Sequence, residues 1–529
     1  MSGMKRLQAV FLAVCLTLLS VIGTNAVEVH GVVEDTFTAK ITNTLPGGQK
    51  QMINCTFKIL EEPGDSGKGK VQVGNGKDIA IDRSTNGSIE ITDEVKDSAT
   101  DKTYTVESIG DQAFLSCRSL KSTGLGNNSS IKSIGYKAFT DCWNLTSTGL
   151  ENNSTVKSIG YSAFGLCGCL TSTGLENNSM IESIGDSAFS NCSSLKSTGL
   201  ENNSTVKSIG IGVFSSCSNL TSTGLENNST VKSIGLSAFA MCSNLTSTGL
   251  ENNSTIESIG ERAFFQCSSL KTVTLPKDSK VATIGDQAFK DCTELTSFVI
   301  KGDKVPAFGA NVFEGAASGF AIYYPVHVTN GSVAADPGKQ IDNSFAKGTE
   351  VTITADSAEG KKFKNWSVDS GNVSLTDRES ASTTFAMPEE VVKVTANYEN
   401  IEYTVTVGGG TGGGKYVMND TVTITADPAP EGKRFKEWQI VSGKAVLADP
   451  AKETTTFTMP AGNVEVKAVY EDIPAGHEGE TTPPGNDDSA KPAAPQTSDP
   501  SNPGLLLFIM LGAGITAVVS YRTRKKKAQ

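Results

Sequence analysis

The stretch Leu145-Thr-Ser-Thr-Gly-Leu-Glu-Asn-Asn-Ser-Thr-Val-Lys-Ser-Ile-Gly-Tyr-Ser-Ala-Phe-Gly-Leu-Cys167 decides the fold, because it returns, little changed, every 25 residues. Its Ile-Gly pair places Gly at Gly110, Gly135, Gly160, Gly185, Gly210, Gly235, Gly260 and Gly285. Four positions after each stands Phe114, Phe139, Phe164, Phe189, Phe214, Phe239, Phe264 or Phe289, and ten positions after each a Leu, from Leu120 to Leu295. A fixed period of about 20–29 residues marks a solenoid, whose coils bury an apolar face only by stacking on their neighbours. The L-x-x-T-x-L segment suits a short strand, and G-x-x-A-F-x-x-C suits a tight helical or 3₁₀ turn packing Ala, Phe and Cys inward. Eight coils at a strand spacing of about 4.8 Å would run for roughly 40 Å.

The cysteines follow the same step. Cys117, Cys142, Cys167, Cys192, Cys217, Cys242, Cys267 and Cys292 keep register with the phenylalanines, which leaves only Cys15, Cys55 and Cys169 of the eleven. Stacking would bring neighbouring cysteines to about 5 Å, inside disulfide range. A ladder gives each Cys two equal partners, however, so buried reduced thiols filling the core are expected. No Cys-x-x-Cys pair occurs, and Cys167-Gly-Cys169 is a weak metal signal. His30, His327 and His477 are the only histidines and are far apart in sequence, so neither a His-based zinc site nor a His-based triad is expected. No metal, cofactor or catalytic residue is assigned.

The residues I-G-x-x-A-F-x-x-C-x-x-L resemble BspA-like leucine-rich repeats, found on bacterial and protist surfaces, over about residues 104–300. The resemblance implies a leucine-rich-repeat solenoid, bounded here as 104–325 with a closing coil at 305–324. Six coils depart from the pattern, carrying Thr123, Thr148, Thr173, Thr198, Thr223 and Thr248 where the family has Ile or Val; Val273 and Phe298 return to type. Inward threonines must hydrogen-bond the neighbouring backbone, or the segment is less regular than a strand. Asn127, Asn152, Asn177, Asn202, Asn227 and Asn252 each open a formal N-x-Ser acceptor, and are read as turn residues bonding their own backbone. Residues 27–103 lack the repeat; Cys55-Thr-Phe-Lys-Ile-Leu60 and Gly69-Lys-Val-Gln-Val73 make them a strand-rich N-terminal cap.

A second unit occurs twice after the coils. Val351-Thr-Ile-Thr-Ala-Asp356 returns at Val422, Glu359-Gly-Lys-Lys-Phe-Lys-Asn-Trp366 at Glu431, and Thr384-Phe-Ala-Met-Pro388 at Thr456, an offset of 72 with one residue of slack. Alternation reads as half-buried strands, with Trp366 and Trp438 as core anchors; stacking on carbohydrate is the sharper alternative. The pattern resembles divergent internalin-type B repeats, which implies two small β-grasp-like modules, taken as 326–399 and 400–471. Gly409-Gly-Thr-Gly-Gly-Gly-Lys415-Tyr416 nearly matches a phosphate-cradling loop, but Tyr416 stands where Ser or Thr must reach Mg²⁺ and strand-like residues follow.

The ends carry an address. Residues 1–26 read as a signal peptide: Lys5 and Arg6, an apolar run, then Thr24-Asn25-Ala26. Residues 472–503 read as a disordered wall spacer, 504–521 as one transmembrane helix, and 522–529 as a basic cytoplasmic tail. Pro495, Gln496, Thr497 and Ser498 before the span resemble the Gram-positive cell-wall sorting motif, with Ala494 replacing Leu and Ser498 replacing Gly. That resemblance implies sortase as a partner, cleavage after Thr497 and linkage to peptidoglycan, with the body extracellular on the cell surface.

The formal charge is −11, and without residues 1–26 and 498–529 it becomes −17, from 39 Lys+Arg against 56 Asp+Glu. Such a surface repels a phosphate backbone, which excludes sequence-independent nucleic-acid binding. The fold class expected is therefore mainly β with short helical turns, a capped solenoid, two β modules, a spacer and a membrane helix. The function expected is a non-enzymatic surface adhesin binding a host or bacterial surface protein or a glycan. Its alternative is a structural spacer or coat component without a specific ligand. The candidate ligand face is Thr146, Ser147, Glu151, Thr171, Ser172, Glu176, Thr221, Ser222 and Glu226, where near-identical coils repeat. Variation after Ile-Gly (Asp111-Gln112, Tyr136-Lys137, Ile211-Gly212, Glu261-Arg262) gives a rival face at the turn edge.

Overall fold

A computed structural model describes residues 35–474 apart from 66, 177–179, 202, 204, 227 and 335–337. The expected signal peptide, the sorting motif at 495–498, the membrane span, the tail, nearly all of the spacer, and Asn177, Asn202 and Asn227 lie outside these residues. No helix among the described residues is long and apolar enough to cross a membrane. Among the described residues, packing divides the chain into two units, residues 35–427 with Glu437–Val469, and Pro428–Lys436 with residues 470–474.

The regular structure of the first unit is strand with almost no helix. Thr36–Thr44, Lys50–Glu61 and Gly69–Val73 form an antiparallel run over buried Phe57, Val71 and Tyr104. Gly69–Val73 then pairs in parallel with Thr103–Ile109, and the end of that strand pairs with Ser133–Ile134. The N-terminal sheet thus continues into the coils without a break.

Within the coils the Ser-Ile dipeptides pair in parallel at the 25-residue step in two runs, Ser133 with Ser158 and Ser158 with Ser183, then Ser208 with Ser233 onward, the two runs belonging to separate sheets. The following glycine is required by proximity: a Cβ on Gly160 would stand 2.6 Å from the Gly135 carbonyl carbon, and on Gly185 2.5 Å from that of Gly160. Real side chains do not approach so closely, so any other residue here would pry the coils apart.

The A-F-C segment departs from the helical expectation. Positions two and six after each Ile-Gly glycine are left-handed, as at Lys137 (φ 51°) and Asp141 (φ 62°), or Ser162 (φ 50°) and Leu166 (φ 60°). A helix cannot hold such residues. Instead the N–H groups alternate in destination: Lys137, Phe139 and Asp141 donate to Tyr161, Ala163 and Gly165 of the next coil, while Ala138, Thr140 and Cys142 close local turns. The segment is a string of tight turns laced to its neighbour. Short helical turns do occur, but as 3₁₀ turns at Leu125–Asn127, Leu150–Asn152 and Leu250–Asn252.

The strand expected at L-x-x-T-x-L is also reduced. Full ladders form only where the threonine is absent, between Thr272–Leu275 and Ser297–Ile300. Elsewhere single bridges remain, such as Ser172 to Ser197 and Ser222 to Ser247. The buried Thr hydroxyls explain this. Thr148, Thr173, Thr198 and Thr223 Oγ1 donate across the gap to the carbonyls of Thr173, Thr198, Thr223 and Thr248 at 2.7–2.8 Å. Each also accepts the N–H two residues on, as from Leu150 at 3.1 Å. The intervening glycine turns left-handed, Gly149 at φ 76°, to make that second bond.

The core is a stack of rings. Phe114 to Phe289 face one another at 4.8–5.8 Å between centroids with interplanar angles of 13° or less. Phe313 extends the stack from Phe289 at 5.8 Å. Strand Ala321–Thr329 then pairs with Ser297–Ile300 through its first half and with Val392–Asn400 through its second, so the last coil and the first B-type module share one strand. In the second module Thr421–Ala426 pairs with Thr454–Thr458, repeating the Glu350–Ala355 to Ser382–Ala386 pairing of the first. In the second unit, Arg434 donates two hydrogen bonds to Glu471 at 2.9 and 2.7 Å, and Phe435 meets Tyr470 edge to face.

Phe189→Ala should cost about 3–5 kcal/mol, the price of a fully buried aromatic lost between two others. Thr198→Val should cost about 1–3 kcal/mol, because the Thr223 carbonyl loses its hydroxyl donor and the Leu200 N–H its acceptor. Urea unfolding of the full chain measures both; a loss under about 0.5 kcal/mol for either would contradict this packing.

Candidate ligand-binding surface

Stacking brings the candidate face together in rows, and also assigns much of it a structural task. Thr146, Thr171 and Thr221 are exposed, while the adjoining Ser and Glu are half-buried. Ser147 Oγ donates to Glu151 at 2.9 Å, Ser172 to Glu176 at 3.0 Å and Ser222 to Glu226 at 2.6 Å. The same Ser oxygens accept the N–H of Gly149, Gly174 and Gly224 at 3.0 Å. Ser and Glu thereby brace the left-handed glycine turn. Thr146 Oγ1 donates to the Lys121 carbonyl at 3.1 Å and Thr171 to the Thr146 carbonyl at 3.4 Å, leaving their oxygens open as acceptors.

A second Asn, one residue after the acceptor positions singled out in the sequence, holds the adjacent corner. Asn153 and Asn228 are buried, donate to the carbonyls of Asn128 and Asn203 at 2.7 and 2.9 Å, and accept from the N–H groups two and three residues on.

The cysteine row is fully buried, and all ten cysteines of the described residues are free thiols. Each Sγ from Cys142 to Cys292 donates to a Phe carbonyl of the preceding coil at 3.1–3.3 Å. Burial pushes the Cys117, Cys192, Cys242 and Cys292 thiols up to about 12. Burial, reinforced by the neighbouring sulfurs, raises Cys142, Cys167, Cys217 and Cys267 well above the ordinary value. Cys169 alone is partly exposed.

One order in the surface escapes a 25-residue reading. Every third coil carries Lys on the threonine row (Lys121, Lys196, Lys271), an acid after Ile-Gly (Asp111, Asp186, Glu261, with Asp286 added in the last coil) and Glu before Ser-Ile (Glu107, Glu182, Glu257). Between the acids stand apolar pairs, Tyr136 with Tyr161 and Ile211 with Leu236, all exposed. The tyrosine rings stack at 5.3 Å. The carboxylates of Asp111 and Asp186 accept the N–H of Tyr136 and Ile211 at 2.7 Å, steadying the next coil. Three coils span about 14 Å at strand spacing. Aligning the coils in groups of three would have exposed this pattern.

The two B-type tryptophans are core anchors. Trp366 and Trp438 are 1% and 3% exposed, and their indole N–H groups donate to the carbonyls of Ser380 and Glu453 at 3.1 and 3.2 Å. Gly409 to Lys415 belongs to a hairpin in which Gly414–Val417 pairs with Glu402–Gly408. His327 Nε2 lies 3.0 Å from Asp303, beside a cleft also lined by Lys277, Lys301 and Asp342.

Comparison with known families fits this architecture. Residues 98–221 and 182–319 match the BspA type leucine rich repeat region in six copies, and residues 324–402 and 403–474 each match the divergent InlB B-repeat domain. The chain carries BspA-type leucine-rich repeats followed by two divergent InlB B-repeat domains. Among solved structures it is similar to a leucine-rich repeat protein from Bacteroides ovatus, at 22% identity over 51% of this chain and 69% of that one, TM-score 0.35. It is also similar to the T. pallidum leucine rich repeat protein (22% identity, 40% and 87% covered, TM-score 0.30). A leucine rich cell surface protein from Faecalibacterium prausnitzii follows at 20% identity, with 50% and 92% covered and a TM-score of 0.20. No curated protein matches the chain.

Native protein at pH 8 should react with a thiol reagent at Cys169 and hardly elsewhere, while unfolded protein should release the ladder as well. The raised thiol pKa values also fix a sign. Their stabilising contribution is complete below the unfolded thiol value near 9 and is lost as pH rises toward about 12. Urea midpoints should therefore fall across that window; a flat profile would show the sulfurs are not buried neutral thiols.

Proposed function

We propose that this chain is a cell-surface ligand-binding protein, an adhesin whose leucine-rich-repeat solenoid is displayed on a Gram-positive envelope by the B-type modules and spacer. The supporting observation is the register itself: coils paired at a 25-residue step set equivalent surface positions in rows. The three-coil recurrence of Lys121, Lys196 and Lys271 among exposed threonines gives that face a period of about 14 Å. A ligand repeating at the same interval engages several equivalent sites at once and gains by effective concentration.

The proposal includes anchoring. Sortase would cut after Thr497 and join it to peptidoglycan, with Pro495, Gln496 and Ser498 completing the recognised motif. The chain would act without catalysis: its part is to hold, and the ligand is a surface protein or glycan of a host or another bacterium. The Ser-Glu pairs that close on themselves favour a second reading, a spacer or coat component whose near-identical coils reflect duplication.

The test is to pass the full chain over matrix proteins, whole bacteria and a glycan array. Saturable binding that weakens at least about tenfold when four whole coils, 145–244, are deleted is expected. No saturable binding to any of them leaves the spacer reading.

A further inference from the structure

Of the three tryptophans, Trp143 is the one that is exposed, at 50%. It stands on a rung shared by Arg118, Gly168, Ser193, Ser218, Ser243, Ser268 and Thr293 in the other coils. Gly168 lies under it. A Cβ at position 168 would fall 2.7–2.9 Å from the Cη2, Cζ3 and Cε3 atoms of the indole, so the six-membered ring rests flat on the Gly168 backbone. One face of the ring is thereby covered, and half of the side chain faces water. The backbone beneath is tied down: Cys169 N–H donates to the Trp143 carbonyl at 3.0 Å, and Ser193 Oγ to the Gly168 carbonyl at 3.3 Å.

The pair breaks the pattern around it. Where acids, lysines and apolar residues recur every third coil, the equivalents of Trp143 and Gly168 three coils on are Ser218 and Ser243. Both members differ together, and each makes sense only with the other. An exposed indole in an otherwise polar, duplicated row is not explained by packing, since the core is filled by Phe139 and Cys142 of the same coil.

We infer that Trp143 on Gly168 is a stacking platform for a β-linked gluco-configured pyranose; this rests on the reading of the chain as a ligand-binding surface protein. A flat, open aromatic face recognises a sugar whose hydroxyls are all equatorial, because its C–H face then meets the ring while its hydroxyls project sideways. The rim supplies planar partners for those hydroxyls. Arg118, on the same rung one coil earlier, is anchored to Asp141 by hydrogen bonds of 2.9 and 3.1 Å and keeps an exposed side chain, and Asn144, the residue after the indole, is exposed and donates its N–H to the Arg118 carbonyl at 3.2 Å. The same mixture of aromatic face and Asn or Arg rim suits a neutral sugar better than an apolar peptide.

Trp143 is its own reporter, since Trp366 and Trp438 are buried. Cellotetraose and tetra-N-acetylchitotetraose are titrated into the full chain, with α-1,6-mannotetraose as control, and tryptophan emission and acrylamide quenching are followed. The platform predicts a saturable blue shift and loss of quenching with at least one β-1,4 probe and none with the mannoside. Gly168→Ser, which installs the residue found on this rung in four other coils, should weaken that response at least about tenfold while leaving the unfolding midpoint within error. Trp143→Ala should abolish it. No change in emission or quenching with either β-1,4 probe up to about 10 mM overturns the platform, as does a response that Gly168→Ser leaves intact. If the platform fails in this way while the full chain still binds saturably to matrix proteins or bacteria, the ligand-binding reading stands without it. If all such binding is absent, both fall.

Discussion

The distance between one coil and the next governs everything else in the array. At Gly160, Gly185, Gly235, Gly260 and Gly285 backbone meets backbone with no room for a Cβ, and this contact holds each of these coils close against the one before it. Once the spacing is fixed, Phe139 must lie on Phe164 and Cys142 must reach Phe114, because the same side chain returns at every step. A single coil has no core of its own; its aromatic ring is buried only when both neighbours are present. Stability is therefore a property of adjacency, which is why the stack needs the sheet at Gly69–Val73 on one end and the shared strand Ala321–Thr329 on the other.

The period, the inward Phe and Cys, and the doubled B-type unit were legible because each is a repeated residue type at a fixed step. The local conformation was less so. A-F-x-x-C looks helical by spacing, but the left-handed residues at Lys137 and Asp141 are imposed by hydrogen bonds to the next coil, which no single coil reveals. Inward threonines by themselves require either backbone partners or a less regular segment, and the structure has both. That they would also accept an N–H, and so shorten the strand to a single bridge, depends on the glycine turning left-handed beside them.

The site was the least legible part. Ser147 and Glu151 look like a ligand face in sequence because they are polar and repeated, yet they bind one another. Repetition marks what the stack requires, and the departures from repetition mark what it can spare. Trp143 with Gly168 departs within a row of serines, and Lys121, Lys196 and Lys271 depart from the threonines every third coil.

Register is the claim on which the rest turns, and it is open to a direct measurement. Spin labels placed at Lys121 and Lys271, both exposed and six coils apart, with Cys169 replaced by serine, report the spacing by pulsed electron-electron resonance. Coils stacked at one strand spacing each predict a narrow distribution near about 29 Å between the labelled backbone positions. A broad distribution, or one centred beyond about 40 Å, would mean the coils do not stack in register, and the ring ladder and the rows built on it would go with them.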